Sequence, residues 1–433
     1  MRVLIVNKFL YPNGGSETYI LKLGDALIKK GHSVEYFGMQ HEGNVVFNSA
    51  GYYTEDMSFK GDGGFSKKIK KLTYPFKIIY SFDAKKKIRK VLDDFKPDVV
   101  HLNNINFQLT PSIIDEIDDY RNKKNKNLKI VMTVHDSQLV CPDHLMRIPS
   151  SGELCQRCID GKSINCIKNK CIHNSRLQSI IAAFESYFYR HRDTYGKIDI
   201  VIAPSDFIND IVSHNKWIKG KTITLRNFMD MPKKKDAIEE NAQNRSGLDK
   251  KVIDIISKNT PYVLYFGRYD IEKGIKTMIS VASRLPEVDF VFAGKGEFES
   301  DVNALSNAVN VGFQDSININ ELIRHSRFTV FPSECYENAP FSVMESEING
   351  APIIASNLGG IPELIIDGET GELFEAGNDI QLEEKIWKLW NDDELISKYK
   401  AACAKISENK SLLKFMNIDE YVEKIEEIYK GKN

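Results

Sequence analysis

The feature that most constrains the fold is a repeated alternation of short apolar runs, rich in valine and isoleucine, with amphipathic stretches of helical period. This alternation is typical of parallel βαβ units, in which buried strands are joined by helical crossovers. The apolar runs are, in chain order, RVLIVN, SVEYFG, PDVVHL, KIVMTVH, DIVIAP, TITLRN, YVLYFG, DFVFAG, AVNVGF, RFTVFP and PIIASN. A helix from about Thr18 to Lys30, ended by Gly31, is predicted between the first two runs.

The runs form two series separated by a polar stretch. Residues 231–250 (MPKKKDAIEENAQNRSGLDK) carry no strand signal, and a chain of 433 residues is too long for one typical core. The sequence therefore predicts an α/β protein with a Rossmann-like domain over 1–227, a linker over 228–250 and a second Rossmann-like domain over 251–410.

Composition excludes several classes of protein. An apolar content of 42% and a net charge of −1 give no bulk attraction to nucleic acid. No apolar run approaches 18 residues, so we expect no membrane span. The first residues, MRVLIVNKFL, are interpreted as a buried strand and not as a signal peptide, so the seven cysteines are expected to be reduced in the cytoplasm.

Glycines follow the first strand, at the edge where doubly wound sheets bind ligands. In FLYPNGGSETY, Gly14 and Gly15 precede a helix, where backbone N–H groups can approach an anion. A plain turn explains the same residues equally well. The spacing is not G-x-G-x-x-G and there is no G-x-x-x-x-G-K-[ST] loop, so a nicotinamide cofactor is disfavoured.

The second series opens with YFGRYDIEKGI, which places Arg268 and Lys273 between a buried strand and a helix. A guanidinium and an ammonium at such a position can clamp a diphosphate, each charged contact contributing on the order of 1.5–3 kcal/mol. Surface pairing with Asp270 or Glu272 is the alternative. Later strand exits add Gly294 and Gly296 in VFAGKGE, and Gly359 and Gly360 in ASNLGGIPELI; together these exits predict a site for a phosphorylated ligand.

The stretch ECYENAPFSVMES places Glu337 in a loop and Glu345 inside the helix that follows it. Pro340 suits the first turn of that helix, and Gly350 suits its end. One carboxylate can then reach a ligand at the helix mouth and the other a group alongside the helix, while N–H groups near the mouth face phosphate. The residues expected at this mouth are Asn338, Ala339, Pro340 and Phe341.

Five motifs together resemble the retaining GT-B glycosyltransferases of family 4. They are YPNGGSE, GRYDIEKG, FAGKGE, the E-x7-E element ENAPFSVME, and GGIPELIIDGETGELF, and the resemblance spans nearly the whole chain. It implies two Rossmann-like domains facing a cleft, with the donor held mainly by the second domain. A closing helix within residues 411–433 is expected to pack back towards the first.

The resemblance also implies roles for single residues. Arg268 and Lys273 bind the diphosphate of a nucleoside-diphosphate sugar, and Gly15 approaches it from the first domain. Glu337 contacts the donor hexose and Glu345 the ribose. His135, at a strand exit in MTVHD, matches the family histidine near the reacting centre, although a lone strand-end histidine is more often structural.

The implied reaction is sugar transfer with retention at the anomeric carbon, through front-face attack assisted by the leaving diphosphate. Protein cations and a helix N-terminus then stabilise the leaving group without a metal. No D-x-D motif occurs at a strand exit, since LDDF and NDDE lie in helical contexts. A GT-B hydrolase or epimerase of sugar nucleotides, and a non-catalytic subunit that binds them, remain alternatives.

Two further segments stand outside these motifs. Residues 141–173 contain Cys141, Cys155, Cys158, Cys166 and Cys171, and a structural zinc at the last four is one interpretation; an insertion of reduced cysteines beside the acceptor site is the other. Residues 60–90 contain eleven Lys or Arg and two Asp among aromatic and aliphatic residues. They predict contact with an anionic membrane surface, with a solvated helix face as the alternative.

The acceptor is expected to be a glycan or a lipid-linked sugar, in the synthesis of a bacterial surface polysaccharide or glycolipid. UDP is the expected nucleotide of the donor. The enzyme is expected in the cytoplasm, with peripheral contact to the inner face of the membrane.

Overall fold

The computed structural model describes residues 1–55, 79–230, 247–408 and 414–431. The chain divides into two compact units, the first made of Met1–Leu225 and Asp419–Asn433 and the second of Arg226–Ile418. Each unit is built on a parallel six-stranded sheet, so the predicted α/β class is confirmed.

The first unit has the strand order β2-β1-β3-β4-β5-β6. Every pairing is parallel, and each crossover with a described helix is a βαβ unit. Its elements are β1 (Arg2–Val6), α1 (Gly15–Lys29), β2 (Ser33–Phe37), α2 (Phe82–Phe95), β3 (Val99–Leu102), α3 (Ser112–Lys124), β4 (Lys129–Thr133), α4 (Ile164–Lys168), α5 (Arg176–His191), β5 (Ile200–Ala203), α6 (Asp206–Ser213) and β6 (Thr222–Thr224).

The second unit has the strand order β10-β9-β8-β11-β12-β13. Two short strands, β7 and β14, pair with each other outside the main sheet. The elements are β7 (Phe228–Met229), α7 (Lys250–Lys258), β8 (Val263–Phe266), α8 (Ile275–Arg284), β9 (Phe290–Ala293), α9 (Glu299–Asn303), β10 (Ala308–Asn310), α10 (Ser316–His325), β11 (Phe328–Phe331), α11 (Phe341–Ile348), β12 (Ile353–Ser356), β13 (Gly371–Phe374), α12 (Asp379–Asn391), α13 (Asp393–Glu408) and β14 (Met416–Asn417).

Alternate residues of the second sheet build two apolar layers. Val263 and Tyr265 of β8 pack in a cluster with α8 and α12, whereas Leu264 and Phe266 pack in another with α7 and α10. Because successive side chains of a strand point to opposite faces, a continuous apolar run such as VLYF requires cover on both sides. Each side chain buried in this way contributes roughly 1.5–3 kcal/mol.

The last helix, α14 (Ile418–Tyr429), belongs almost entirely to the first unit. The hydroxyl groups of Tyr421 and Tyr19 lie 2.7 Å apart, and the Tyr429 hydroxyl lies 2.6 Å from Nδ1 of His101. These four side chains are almost fully buried, so α14 is fixed to the sheet by polar contacts inside an apolar layer.

The runs predicted as strands are strands, but several boundaries differ from the predicted ones. The helix predicted from Thr18 begins at Gly15, and the predicted linker 228–250 includes a strand at Phe228–Met229 and the first residue of α7. The second unit begins at Arg226, and the closing helix expected within residues 411–433 spans Ile418–Tyr429. The strand β13 carries too little β-branched sequence to be predicted from its pattern.

Candidate functional site

A candidate ligand site of the second unit lies where β8 and β11 end. These strands are neighbours at the centre of the sheet, and the chain leaves β8 towards β9 on one side and β11 towards β12 on the other. In doubly wound sheets, the crevice beyond such a reversal of strand order is the position at which ligands bind. The β8 exit carries Arg268 and Lys273, and the β11 exit carries residues 333–337.

An ion pair joins the two loops. The Lys273 ammonium contacts Oε1 of Glu337, and the Ser333 hydroxyl donates to the same oxygen at 2.9 Å. Both side chains are mostly buried, with 24% of Lys273 and 15% of Glu337 exposed. Burial raises the pKa of Glu337, but Lys273 and the hydrogen-bond donors outweigh it and hold the pKa below its usual value. Glu337 is therefore an ionised carboxylate within reach of the crevice.

Arg268 has a different environment. Its guanidinium lies 3.0 Å from Oδ2 of Asp270, and 68% of its side chain is exposed. The alternative interpretation, in which this loop's cations pair with its own acidic residues, therefore holds for Arg268 and Asp270. Lys273 instead pairs with Glu337 of the other loop. A pair as exposed as this contributes at most about 1 kcal/mol, so Arg268 can exchange Asp270 for a ligand anion at little cost.

The mouth of α11 presents hydrogen-bond donors. Pro340 lies one residue ahead of the predicted position, as the N-cap, so α11 begins at Phe341 without a side-chain cap. The Ala339 carbonyl accepts from Nδ2 of Asn227 at 3.1 Å, which fixes the chain before the helix. In the described part of the chain, Nδ2 of Asn338 is buried without a hydrogen-bond partner. The mouth therefore offers N–H groups to an anion or a hydroxyl.

The two glutamates of α11 have different surroundings. Glu345 is partly buried in the second turn. Glu347 is fully buried and accepts from the Thr370 hydroxyl at 2.7 Å. Burial raises the pKa of Glu347 to about 8, so it is a protonated core carboxyl and not a ligand group. The sequence pattern did not identify Glu347.

The strand-exit glycines hold neighbouring loops against each other. A Cβ atom at Gly294 would lie 1.9 Å from the Gly267 carbonyl oxygen, and one at Gly296 would lie 2.4 Å from that of Tyr269. Beyond β12, Gly359 adopts φ +62°, and the Gly360 N–H donates to the Glu337 carbonyl at 2.7 Å. Loop packing thus requires these glycines and positions Glu337; their contact with a nucleotide stays a prediction.

In the first unit, His135 follows β4 and faces the end of β3. Its Nε2 lies 2.9 Å from Oδ1 of Asn103, and its ring packs against Tyr19 with centroids 4.9 Å apart. Burial lowers the pKa of His135 to about 4, partly offset by Asp136. The imidazole is therefore neutral at pH 7, with the proton on Nε2 because an amide oxygen only accepts.

Gly15 is the first residue of α1, and its N-cap Gly14 has extended backbone and no side-chain cap. Glu17, in the first turn, is buried and accepts from Nδ2 of Asn7 and from the Ser16 hydroxyl, both at 2.9 Å. Nδ2 of Asn104 donates to the same Ser16 hydroxyl at 2.9 Å.

The asparagines Asn7, Asn103 and Asn104 at the exits of β1 and β3 form hydrogen bonds with Glu17, His135 and Ser16, respectively, and the sequence pattern did not identify them. Clustered asparagines directly after apolar runs, as in HLNNIN, were the available signal.

The cysteines of residues 141–171 lie together. Cys155, Cys158, Cys166 and Cys171 line one small cavity, and Cys141 lines it as well. All seven cysteines of the chain are free thiols. Among the described residues, no three or more His, Cys, Asp or Glu side chains are positioned as they stand to hold a metal ion.

Residues 60–78 of the predicted membrane segment lie outside the described residues. Most cations of the remainder have partners within the unit. Lys85 and Arg89 pair with Glu116, at 3.3 and 2.6 Å, and Lys87 pairs with Asp83. Lys90 lies 4.2 Å from the Tyr52 ring centroid. In the described ranges, no helix is both long and apolar enough to cross a bilayer.

Comparison with known protein families gives two matches that together cover most of the chain. The model described as Glycosyltransferase Family 4 matches residues 13–231, half of the chain. The model described as Glycosyl transferases group 1 matches residues 249–410.

Three known proteins illustrate the similarity. Sulfoquinovosyl transferase of Arabidopsis thaliana is 31% identical over 140 residues, which cover 31% of this chain and only 27% of that protein. An uncharacterised 42.6 kDa protein from the cps region of Klebsiella pneumoniae is 21% identical over 84% of this chain and 87% of its own length. The structure of Anabaena HepE in complex with UDP and glucose covers 100% of both chains with a TM-score of 0.62 and 14% identity, so it shares the fold.

Proposed function

Because the chain belongs to glycosyltransferase family 4 and has the GT-B fold, we propose that it is a retaining, metal-independent hexosyltransferase. The donor is a nucleoside-diphosphate sugar, and the acceptor is a glycan or a lipid-linked sugar. UDP is the proposed nucleotide, in keeping with the UDP that the structurally similar Anabaena HepE holds.

The observation that carries the proposal is the Lys273–Glu337 pair beside the uncapped start of α11. A diphosphate entering this crevice offers Lys273 a stronger anionic partner than one carboxylate, and Arg268 can join it by leaving Asp270. Glu337 then loses its cation and becomes available to sugar hydroxyl groups. One exchange of partners thus prepares both the phosphate clamp and the hexose contact.

The proposed reaction balances without another reactant. The bond between the anomeric carbon and the diphosphate oxygen breaks, and the acceptor oxygen bonds to that carbon on the same face. The acceptor proton passes to the departing diphosphate, whose charge Lys273, Arg268 and the α11 N–H groups stabilise. Glu337 stabilises the positive charge that develops on the sugar ring. Neutral His135 is proposed to contact a hydroxyl of the transferred sugar, and Glu345 the ribose.

The first experiment is a thermal-shift screen with UDP, GDP, ADP and dTDP sugars, followed by transfer assays with the best donor. NMR of the product then gives its anomeric configuration. Retention is expected, and an inverted product would overturn the proposed mechanism. Donor turnover that is unaffected by any acceptor indicates a hydrolase or epimerase, and tight donor binding without turnover indicates a binding subunit.

The relative from a cps region supports a role in surface polysaccharide synthesis, and a glycolipid product is the related proposal. We propose that residues 60–90 contact an anionic membrane surface. Most described cations of this segment have partners within the unit, so the proposed contact depends mainly on the lysines of residues 60–78. Replacing Lys67, Lys68, Lys70 and Lys71 with serine should weaken sedimentation with anionic liposomes and leave donor affinity unchanged. If the parent protein does not sediment with anionic liposomes, the proposed membrane contact is excluded.

A further inference from the structure

We propose that the cysteine cluster, defined as Cys141, Cys155, Cys158, Cys166 and Cys171, binds one structural Zn²⁺ through four thiolates. This inference concerns the folding of the segment and is independent of sugar transfer. The cluster lies in the connection between β4 and α5.

The first argument is that five thiols from a short segment converge on one cavity. Cys141, Cys158, Cys166 and Cys171 are buried and Cys155 is partly exposed, yet all five line the same space. None of them forms a disulfide. Cysteines that are only small apolar fillers do not need to meet at one point, whereas metal ligands do.

The second argument is that the part of the segment around the cysteines has little regular structure and a small apolar core. Between β4 and α5 the only regular element is the five-residue helix α4. The local apolar cluster consists of Cys158, Cys166 and Cys171, with Ile172 packed against it. The first part of the segment also buries Leu139, Val140, Met146 and Ile148, whereas residues 155–172 bury only Ser163 and three cysteines. A local core of this size usually depends on disulfides or a metal.

The backbone around the cavity is also unusually constrained. Met146, which lines the cavity, and Lys170, next to Cys171, have φ +50°, as does His173 shortly after Cys171. Non-glycine residues adopt the left-handed region only where their surroundings impose it. Three such residues around one cavity indicate that something fixes the loops there.

The cavity is small, and its lining indicates the kind of metal site. Its volume is about 10 Å³, the space of roughly one water molecule. Four thiolates around a single ion are typical of structural zinc, with bonds of about 2.3 Å in a tetrahedron.

The ligand set includes the pair Cys155 and Cys158, whose C-x2-C spacing lets two thiolates from one turn reach the same ion. The other two come from Cys141, Cys166 and Cys171. Among the described residues, the thiols are not yet close enough to one another to coordinate a metal ion. Binding therefore requires side-chain rotation and loss of the thiol protons, which makes it dependent on pH and coupled to the order of the segment.

The experiment measures metals in the full chain purified under reducing conditions without chelators. Plasma mass spectrometry should find about one zinc per chain. Titration of the native protein with an organomercurial should release this zinc in step with thiol modification, as reported by a chromogenic chelator. This second readout needs no variant and does not depend on activity.

Single serine substitutions of the five cluster residues then identify the ligands. Four variants should lose zinc and unfold at lower temperature, and the fifth should retain it. Cys403→Ala, which removes a buried thiol in the second unit, is the control that should keep full zinc content.

Three results would overturn the proposal. The first is a chain that neither contains zinc nor takes up added zinc, and the second is a chain that contains iron in its place. The third is fewer than seven titratable thiols in the denatured, metal-free chain from a parallel purification without reductant, since that count would mean disulfides.

Discussion

At the residue scale, Lys273 and Glu337 stabilise each other in the crevice of the second unit. Each is mostly buried, and each compensates the charge that the other would leave unpaired. Burial lowers the pKa of Lys273, but Glu337 outweighs this effect and raises it, so both groups are charged near neutral pH. Glu345 lies in the second turn of α11 and is only partly buried, so the two glutamates occupy different surroundings and their proposed roles are separable.

Changing each glutamate to glutamine should therefore give different kinetic defects. Glu345→Gln should weaken the binding of donor and of free nucleoside diphosphate alike, by about 1–3 kcal/mol, because the proposed ribose contact is the same in both ligands. Glu337→Gln should lower kcat, since the carboxylate interacts most strongly with the positive charge of the transition state. Titration calorimetry and steady-state kinetics measure the two effects.

Free nucleoside diphosphate provides the control for Glu337→Gln. It lacks the hexose, and Lys273 has lost a competing partner in this variant, so affinity should be kept or increased. Loss of nucleotide affinity in Glu337→Gln together with its retention in Glu345→Gln would reverse the two assignments.

At the scale of elements, the exit loops of β8 and β11 depend on one glycine. Gly274 adopts φ +71°, and a Cβ atom there would lie 1.7 Å from the Pro332 carbonyl oxygen. Ser333, the next residue, donates to Glu337. The loop that carries Lys273 therefore meets the loop that carries Glu337 at a point where no side chain fits.

Gly274→Ala should destabilise the second unit more than an alanine replacement at a glycine that also has positive φ but has free space for the added Cβ atom. Gly368 is the matched control, because it has φ +77° and nothing within 4 Å of the added Cβ. Gly368→Ala should cost roughly 1–2 kcal/mol, and Gly274→Ala about 1–3 kcal/mol more, because backbone must move. Urea unfolding measures both, and equal costs would refute the close approach.

The docking of α14 predicts a dependence of stability on pH. His101 lies between the Tyr429 hydroxyl and the Thr133 hydroxyl, and burial, with a smaller effect of His135, lowers its pKa to about 3. In the unfolded chain the pKa of His101 is near 6.5. Between pH 6.5 and 3, His101 is therefore protonated in the unfolded chain and neutral in the folded chain. Stability from this residue is complete above pH 6.5 and is lost as the pH falls.

Between pH 7 and 5, the His101 contribution to the free energy of unfolding should fall by about 2 kcal/mol. Denaturant titrations at the two pH values should show a smaller decrease for His101→Gln than for the parent chain, because glutamine does not titrate. Parallel pH dependences in both proteins would mean that His101 binds its proton in the folded state.

At the scale of the whole molecule, the proposed chemistry uses protein cations where many glycosyltransferases use a divalent metal. Transfer activity should therefore survive prolonged treatment with EDTA. The zinc content of the same samples is measured as a control, and any activity that is lost together with zinc and restored by zinc alone is assigned to the cysteine cluster and not to the transfer chemistry. Recovery of a lost activity by magnesium or manganese alone would contradict metal independence.

The sequence by itself determined most strands of the two six-stranded sheets, the two-unit α/β organisation and the family. These features are encoded locally: a buried parallel strand needs a continuous apolar run, and the family motifs are contiguous segments such as GRYDIEKG and ENAPFSVME. The same locality explains why Arg268 and Lys273 were found at one strand exit, since a single loop carries both.

The tertiary structure decided which of these residues are partners. Lys273 reaches Glu337 across 64 positions because strand order makes β8 and β11 neighbours, and no local pattern contains that order. Burial separates Glu347, a core carboxyl, from Glu345 two residues earlier, although both lie on one helix. The tertiary structure also places Cys141 at the cavity lined by the four later cysteines, although it lies 14 residues before Cys155 in the chain. Chain contacts between distant segments, which depend on packing and not on periodicity, determine each of these outcomes.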